Sequence, residues 1–270
     1  MKNTVPKVLK VFFAVIFIVP VFSGCSGEAQ SNFTQFFAMD TSCSVTLQDY
    51  APQSLFDDIA QEVERIEGMF SRYSDSSEIG SLNLRGEHTF SEEALGLLRQ
   101  ALDYARQSDG LYDPTVGPLS RLWDISGSQE NNTNQMPPAA EDIAAVLPLI
   151  SYSDVLWDED SRQVRFAQTG MKLDLGGIAK GFAADRIKAL LESAGAPPGV
   201  IDLGGNILLF GVKDSGEPWS VGLRGEGNHY LLAMLLTSPK AIVTSGIYQR
   251  YYMYQGNRYH HILSTETGYP

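Results

Sequence analysis

The tetrapeptide Asp-Leu-Gly-Gly occurs twice in this chain, at 174–177 and again 28 residues further on at 202–205. Each copy ends an apolar run, so each reads as the exit of a strand. The segments after them differ. After Gly177 the sequence IAKGFAADRIKALLESAG predicts a helix over 178–195, with Gly195 as its stop. After Gly205 comes NILLFGV, another apolar strand. One corner turns strand into helix and the other turns strand into strand, so both element types must share a core.

The order of the remaining segments makes the fold class α+β. FFAMDTSCSVTLQDY reads as strand, with a turn at QDYAPQ. A helix follows over 54–70, with Leu55, Ile59, Val63, Ile66 and Phe70 as its buried stripe and Ser54 with Asp57 as a capping box. A second helix fits 91–107, with acidic residues in its first turn. The polar tract 126–142 reads as a surface loop feeding a short helix up to Pro148. SDVLWDEDSRQVRF suggests a hairpin and GMKLDL a strand. GVIDL, NILLFGV, WSVGLR, YLLAMLLTS, KAIVTSG, YYMYQ and RYHHIL then read as successive strands. Helices interspersed early and strands crowded late argue against a doubly wound parallel sheet.

The N-terminus has the plan of an export signal. Lys2, Lys7 and Lys10 precede an apolar run at 11–22 that is short for a membrane span. It ends in Ser23-Gly24-Cys25, which is similar to a bacterial lipobox with Phe22 in the place where Leu is usual. That resemblance implies a signal peptide over 1–24, a lipidated (palmitate-bearing) Cys25 and a polar tether over 25–35; a plain signal peptide is the alternative. Cleavage before Cys25 leaves 246 residues for the folded body, enough for a sizeable core. Cys43 then has no partner for an internal disulfide, and its alternating strand context marks it as a buried structural thiol.

A net charge of −12 argues against nucleic acid as a partner, because no basic stripe exists to neutralise a phosphate backbone. It leaves room for a nucleotide, whose few phosphates are held by backbone N–H groups or a cation. Gly176 and Gly177 allow a close ligand approach, the helix after them offers free N–H groups, and Lys180 adds a point charge. The stretch is neither a Walker A loop nor a Rossmann fingerprint. Taken alone, each corner reads first as a tight turn. A third cluster gathers Thr244, Ser245, Tyr248, Arg250, Tyr251, Tyr259, His260 and His261 within 18 residues. Adjacent histidines on a strand face opposite ways, so only one points into a given pocket.

Taken together, AMDTSCSVTL, FSRYSDSSEIGSLN, GLYDPTVGPLSRLW, KLDLGGIAKGFAAD, DLGGNI, TSGIYQRYY and RYHHILSTETGYP resemble, in order, the motifs of the ApbE family of flavin transferases (FAD:protein FMN transferases). The resemblance spans 36–270 and implies one flavin transferase domain there, with mixed helices and largely antiparallel, T-fold-like sheets around a central FAD cleft. It implies Mg2+ with FAD as substrate, transfer of FMN to a Thr or Ser hydroxyl of an exported or membrane acceptor protein, and release of AMP. Export fits that reaction, and the lipobox resemblance implies a chain anchored to the cell membrane through its N-terminal lipid, on the extracytoplasmic or periplasmic face.

Carried over residue by residue, Met39 and Thr41 resemble dinucleotide contacts, and Tyr73 and Ser74 shape the flavin–adenine cleft, with Glu78 and Asn83 in the same motif. Asp113 and Val116 lie near the cofactor, with Trp123 as a cleft aromatic. Asp174 and Lys180 resemble cofactor-binding positions, the Ala179 carbonyl a magnesium ligand, and Thr244 and Ser245 a strand end near the flavin phosphate. His261 resembles the family's histidine and is the candidate base. Family members continue beyond the TGYP motif with further magnesium ligands, so the resemblance also implies a C-terminal part missing from the sequence as given. Two other activities fit the same residues: a magnesium-dependent FAD pyrophosphatase giving FMN and AMP, and a lipoprotein that binds FAD without turnover.

Overall fold

The structure is a computed structural model that describes residues 30–125, 135–224, 231–247 and 250–270. The expected signal peptide, Cys25, residues 126–134 of the polar tract and Tyr248 lie outside these residues.

A five-stranded antiparallel sheet forms the centre: β1 (Gln30–Ala38), β2 (Thr41–Pro52), β6 (Gly199–Leu203), β7 (Asn206–Phe210) and β10 (Ala241–Val243), in that spatial order. In β2, Cys43, Val45 and Leu47 are buried while Ser42, Thr46 and Gln48 are exposed, the alternation that a sheet covered on one face requires. The covering layer includes α1 (Gln53–Phe70) and α6 (Ala179–Ser193), which pack on each other. α1 buries Phe56, Ile59, Val63, Ile66 and Phe70, and α6 buries Ala179, Ala183, Ile187 and Leu191 at one-turn spacing. Phe70 meets Phe182 edge-on at 5.6 Å between ring centroids.

Smaller units surround this core. β3 (Glu87–Thr89), β5 (Gln163–Phe166) and β4 (Val155–Trp157) form one sheet in that order. β8 (Trp219–Arg224) pairs with β9 (Leu231–Thr237), and β11 (Tyr251–Tyr254) with β12 (Asn257–His260). α2 (Glu78–Arg85), α3 (Glu92–Gln107), α4 (Gly117–Trp123) and α5 (Ala140–Val146) complete the set. The α+β expectation with antiparallel sheets holds.

Four expectations are corrected. The first helix begins at Gln53 after Pro52, so Ser54 is already inside it and no side chain caps it; Asp57 instead accepts from Gln53 Nε2 at 3.2 Å. β1 begins at Gln30, so residues 30–35 of the expected tether belong to the sheet, where they pair with β2. GMKLDL forms no strand beyond a single parallel bridge between Val116 and Lys172. Its main chain is satisfied otherwise: Asn83 Nδ2 donates to the Leu173 carbonyl at 2.8 Å, and the Leu173 N–H donates to Asn83 Oδ1 at 2.6 Å. The Asp174 N–H donates to the Pro114 carbonyl at 2.8 Å. Trp123 is no cleft aromatic: it is 1% exposed, donates Nε1–H to the Gly268 carbonyl and stacks on Tyr259 at 5.5 Å.

Candidate active site

Register brings three connections to one end of the central sheet. Ala38 pairs with Thr41 across the β1–β2 turn, Cys43 pairs with Leu203 just before the β6–β7 turn, and Val243 pairs with Asn206 just after it. Met39–Asp40, Gly204–Gly205 and Thr244 therefore share that end. Gly204 and Gly205 have φ of +66° and +88°, the left-handed pair that a two-residue hairpin demands. A Cβ on Gly204 would lie 2.1 Å from Thr41 Oγ1, and one on Gly205 would lie 3.9 Å from Thr244 Oγ1. The second Asp-Leu-Gly-Gly corner thus seats Thr41 against bare backbone. Asp202 Oδ1 closes it by accepting from the Gly205 N–H at 2.8 Å.

The first corner is built differently. Neither Gly176 nor Gly177 needs a positive φ. Asp174 Oδ1 accepts from the Gly176 N–H at 2.9 Å, and its Oδ2 lies 3.4 Å from Arg72 Nε. Gly177 is needed for proximity: a Cβ there would lie 3.0 Å from the Tyr112 ring. The Tyr112 hydroxyl is buried with no hydrogen-bond partner among the described residues, and burial together with the neighbouring Asp174 and Asp113 holds it protonated. Asp174 thus joins the corner to the Arg72–Tyr73 motif. Arg72 lies 4.6 Å over the Tyr73 ring, and Tyr73 is 69% exposed. Ser74 Oγ pairs with Ser76 Oγ at 2.9 Å in the same loop.

Lys180 stands in the first turn of α6, half-buried. Burial, then the Arg250 guanidinium, holds its ammonium below the usual lysine value, against the pull of Asp40, Cys43 and Asp174. Arg250 donates to the Asp40 carbonyl at 2.8 Å and lies 3.2 Å from its carboxylate. The Arg250 carbonyl accepts twice from His261, from its main-chain N–H at 3.1 Å and from ring Nδ1 at 3.2 Å. A carbonyl only accepts, so Nδ1 carries the proton and Nε2 presents a lone pair. Burial holds His261 below its ordinary pKa, opposed by that carbonyl and reinforced by the charges of Arg250, His260 and Lys180. His260 faces elsewhere and leaves a buried Nδ1 with no partner among the described residues.

Met39, Thr41, Lys180, Thr244 and His261 therefore border one end of the sheet and the head of α6, with Ser245 exposed beside Thr244. Tyr73 and Ser74 lie in a separate loop, joined to the first group through the Arg72–Asp174 contact, while Val116 bridges to Lys172 and packs against the Trp123 cluster. A hollow of about 480 Å³ is lined by Arg72, Tyr73, Arg121 and Lys172 together with Asp75 and Asp124. Another, of about 370 Å³ between Leu102 and Trp157, carries none of the candidate residues. Asp113 is 5% exposed and fully engaged: Oδ1 accepts from the Thr115 N–H and hydroxyl, Oδ2 from the Tyr152 N–H. It shapes its own loop. Arg72, Asp40 and the Arg250 carbonyl emerge only in three dimensions, as does the role of Asn83 in holding Leu173. For Arg72 and Asp40 the available signal was their adjacency to Tyr73 and Met39.

Ala179 is buried as the first residue of α6. Among the described residues no three His, Cys, Asp or Glu side chains converge as metal ligands. One main-chain carbonyl falls short of the octahedral oxygen shell that magnesium demands, so the described residues do not by themselves fit a magnesium site.

An α+β body that places a lysine, an arginine and a histidine of lowered pKa at one sheet end, linked by an ion pair to a loop bearing an aromatic ring, has groups suited to bind a ring-bearing anion and move a proton beside it. Its family is established by comparison: a profile of the ApbE family matches residues 39–270, and the chain belongs to that family. It is 33% identical over 223 residues to an FAD:protein FMN transferase of Klebsiella pneumoniae, covering 81% of this chain and 67% of that protein. A Treponema pallidum protein of the same description is 31% identical over 261 residues, covering 85% and 68%. The crystal structure of the ApbE protein of Thermotoga maritima superposes with a TM-score of 0.80 at 34% identity, covering 88% of this chain and 77% of that one.

Proposed function

We infer that this chain is an FAD:protein FMN transferase: it binds FAD and passes FMN to a hydroxyl of an acceptor protein. The observation that carries the reading is the pairing of a neutral, tautomer-fixed His261 with Lys180 and Arg250 at one end of the cleft. An alcohol is a poor nucleophile at neutral pH, so a base must take its proton as its oxygen closes on phosphorus. Nε2 of His261 is the free lone pair that does this. The acceptor oxygen bonds to the FMN-side phosphorus, the P–O bond to the AMP phosphate breaks, and AMP leaves with the bridging oxygen. Lys180 opposes the negative charge on the diphosphate. The exposed Tyr73 ring is the aromatic group that contacts the planar rings of the ligand.

No step is routed through magnesium. The family resemblance supports magnesium as a companion of FAD, supplying neutralisation of phosphoryl charge, with the Ala179 carbonyl as one contact. The N-terminal sequence supports a lipid anchor at Cys25, which would hold the enzyme at the extracytoplasmic face of the membrane beside exported or membrane acceptors. Replacing Cys25 by Ala should release the protein from membranes, and retention would remove the anchor from the reading.

Incubation with FAD, a divalent cation and a Thr-bearing acceptor protein tests the activity. Covalent flavin on the acceptor with equimolar AMP is expected. Free FMN and AMP without labelling would show water to be the nucleophile, and bound but unchanged FAD would show a carrier.

A further inference from the structure

The turn that carries Met39 is strained. Met39 and Asp40 join β1 to β2 as a two-residue hairpin, with Ala38 paired to Thr41, and both have positive φ, 52° and 59°. Such turns favour Asn-Gly, because a Cβ crowds the neighbouring carbonyl in the left-handed region. Aspartate tolerates it better than methionine, and neither is the residue of choice. Strain of this kind persists only where the surroundings over-determine the conformation.

Met39 packs against the core and Cys43 Sγ lies against the Ala38 and Thr41 carbonyls, and one residue distant in sequence grips the turn as well. The Arg250 guanidinium holds Asp40 twice, at its carbonyl (2.8 Å) and its carboxylate (3.2 Å). Asp40 is 210 positions away in the sequence, so this contact reaches across the fold. The main chain of Arg250 holds His261 twice through its carbonyl. Side chain and main chain of a single residue therefore tie the turn bearing Met39 to the candidate base. The second attachment does not depend on the side chain.

We propose that Arg250 is a positioning residue, a clamp that holds the strained Met39–Asp40 turn in register with His261 so that the FAD-facing end of the sheet is pre-formed. The proposal rests on the FAD reading above. It assigns the guanidinium to the protein, where a direct contact with the ligand is the competing role. Relief of the strain separates the two. Glycine at position 40 adopts positive φ freely, so a turn relaxed by Asp40→Gly needs the clamp less.

The test measures FAD affinity by flavin fluorescence and, in the ligand-free protein, hydrogen exchange of the turn amides. Arg250→Met is expected to weaken FAD binding about tenfold and to speed turn exchange about tenfold; Asp40→Gly in the same chain should bring both to within about threefold of the parent. Asp40→Gly alone should stay close to the parent, because the carbonyl at position 40 still accepts from Arg250. Should Arg250→Met fail to fold, Arg250→Lys, which keeps one donor, should give an intermediate loss with the same recovery. Unchanged turn exchange in the Arg250 variant would overturn the clamp. So would a loss of affinity that Asp40→Gly does not recover, which would assign the guanidinium to the ligand. A parent protein that fails to bind FAD would overturn the functional reading, and exchange alone would then decide the clamp.

Discussion

The carbonyl of Arg250 accepts from both the main-chain N–H and the ring Nδ1 of His261, at 3.1 and 3.2 Å. That pair of bonds fixes which ring nitrogen holds the proton. Burial is the main cause of the lowered pKa of His261, and the charges of Arg250, of His260 on β12 and of Lys180 on α6 add to it.

A base with a lowered pKa stays neutral to lower pH, so transfer should keep its full rate down to about pH 6.5 and decline only below it. The stability linkage has the same sign: the unfolded chain binds the His261 proton first, so this contribution is present above about pH 6.5 and is lost as pH falls below it. A pH–rate profile for single-turnover transfer measures the limb directly. A base-requiring limb centred near pH 7.5 would contradict the lowering by burial.

Asn83 takes the place of a neighbouring strand for Leu173, engaging both its N–H and its carbonyl. Asn83→Leu leaves both groups without a partner, at a cost of about 2–3 kcal/mol. Because Leu173 precedes Asp174, FAD affinity should fall as well. Urea unfolding and flavin titration on the same variant check the two effects. Loss of neither would mean that the 171–174 segment is held in other ways.

Gly204 and Gly216 both have positive φ, +66° and +72°, but a Cβ on Gly216 meets nothing within 4 Å, whereas one on Gly204 meets Thr41 at 2.1 Å. Gly216→Ala should therefore cost about 1 kcal/mol from backbone strain alone, and Gly204→Ala at least about 2 kcal/mol more. Equal costs in thermal unfolding would show that the second corner does not seat Thr41.

Cys43 is fully buried and burial raises its thiol pKa. A thiolate is the reactive form, so a thiol reagent should label Cys43 only at the rate of unfolding. Rapid labelling of the folded protein would place it at the surface.

Much of the fold was legible because its signals are periodic. The alternation of β2 and most of the α1 stripe follow from apolar spacing, with Phe56 buried where Leu55 is expected, and the Gly-Gly at 204–205, which allows a bulge or a hairpin, makes a hairpin. α2 was harder. Its eight residues carry little periodicity, although Ser77 caps it by accepting from the Gly80 N–H at 2.7 Å and Gly86 ends it at φ +80°. GMKLDL has the composition of a strand, but strand pairing depends on partners distant in sequence, and here the partner is the side chain of Asn83.

The candidate site shows the same division. Motif order supplied His261, Lys180, Asp174 and Tyr73, while the roles of Asp113, Arg72 and Arg250 follow from where their partners fold. The two Asp-Leu-Gly-Gly corners share a short aspartate-to-glycine bond but differ in function. The first links Arg72 to the head of α6, and the second makes room for Thr41.

The central claim is that His261 activates an acceptor hydroxyl for attack on FAD. Mass spectrometry of a Thr-bearing acceptor after incubation with FAD and a divalent cation tests it most directly, with the parent chain beside His261→Ala. An FMN adduct on the threonine is expected with the parent, and no adduct with His261→Ala although that variant still binds FAD. Adduct formation at the parent rate by His261→Ala, or FAD cleavage by the parent that never labels the acceptor, would contradict it.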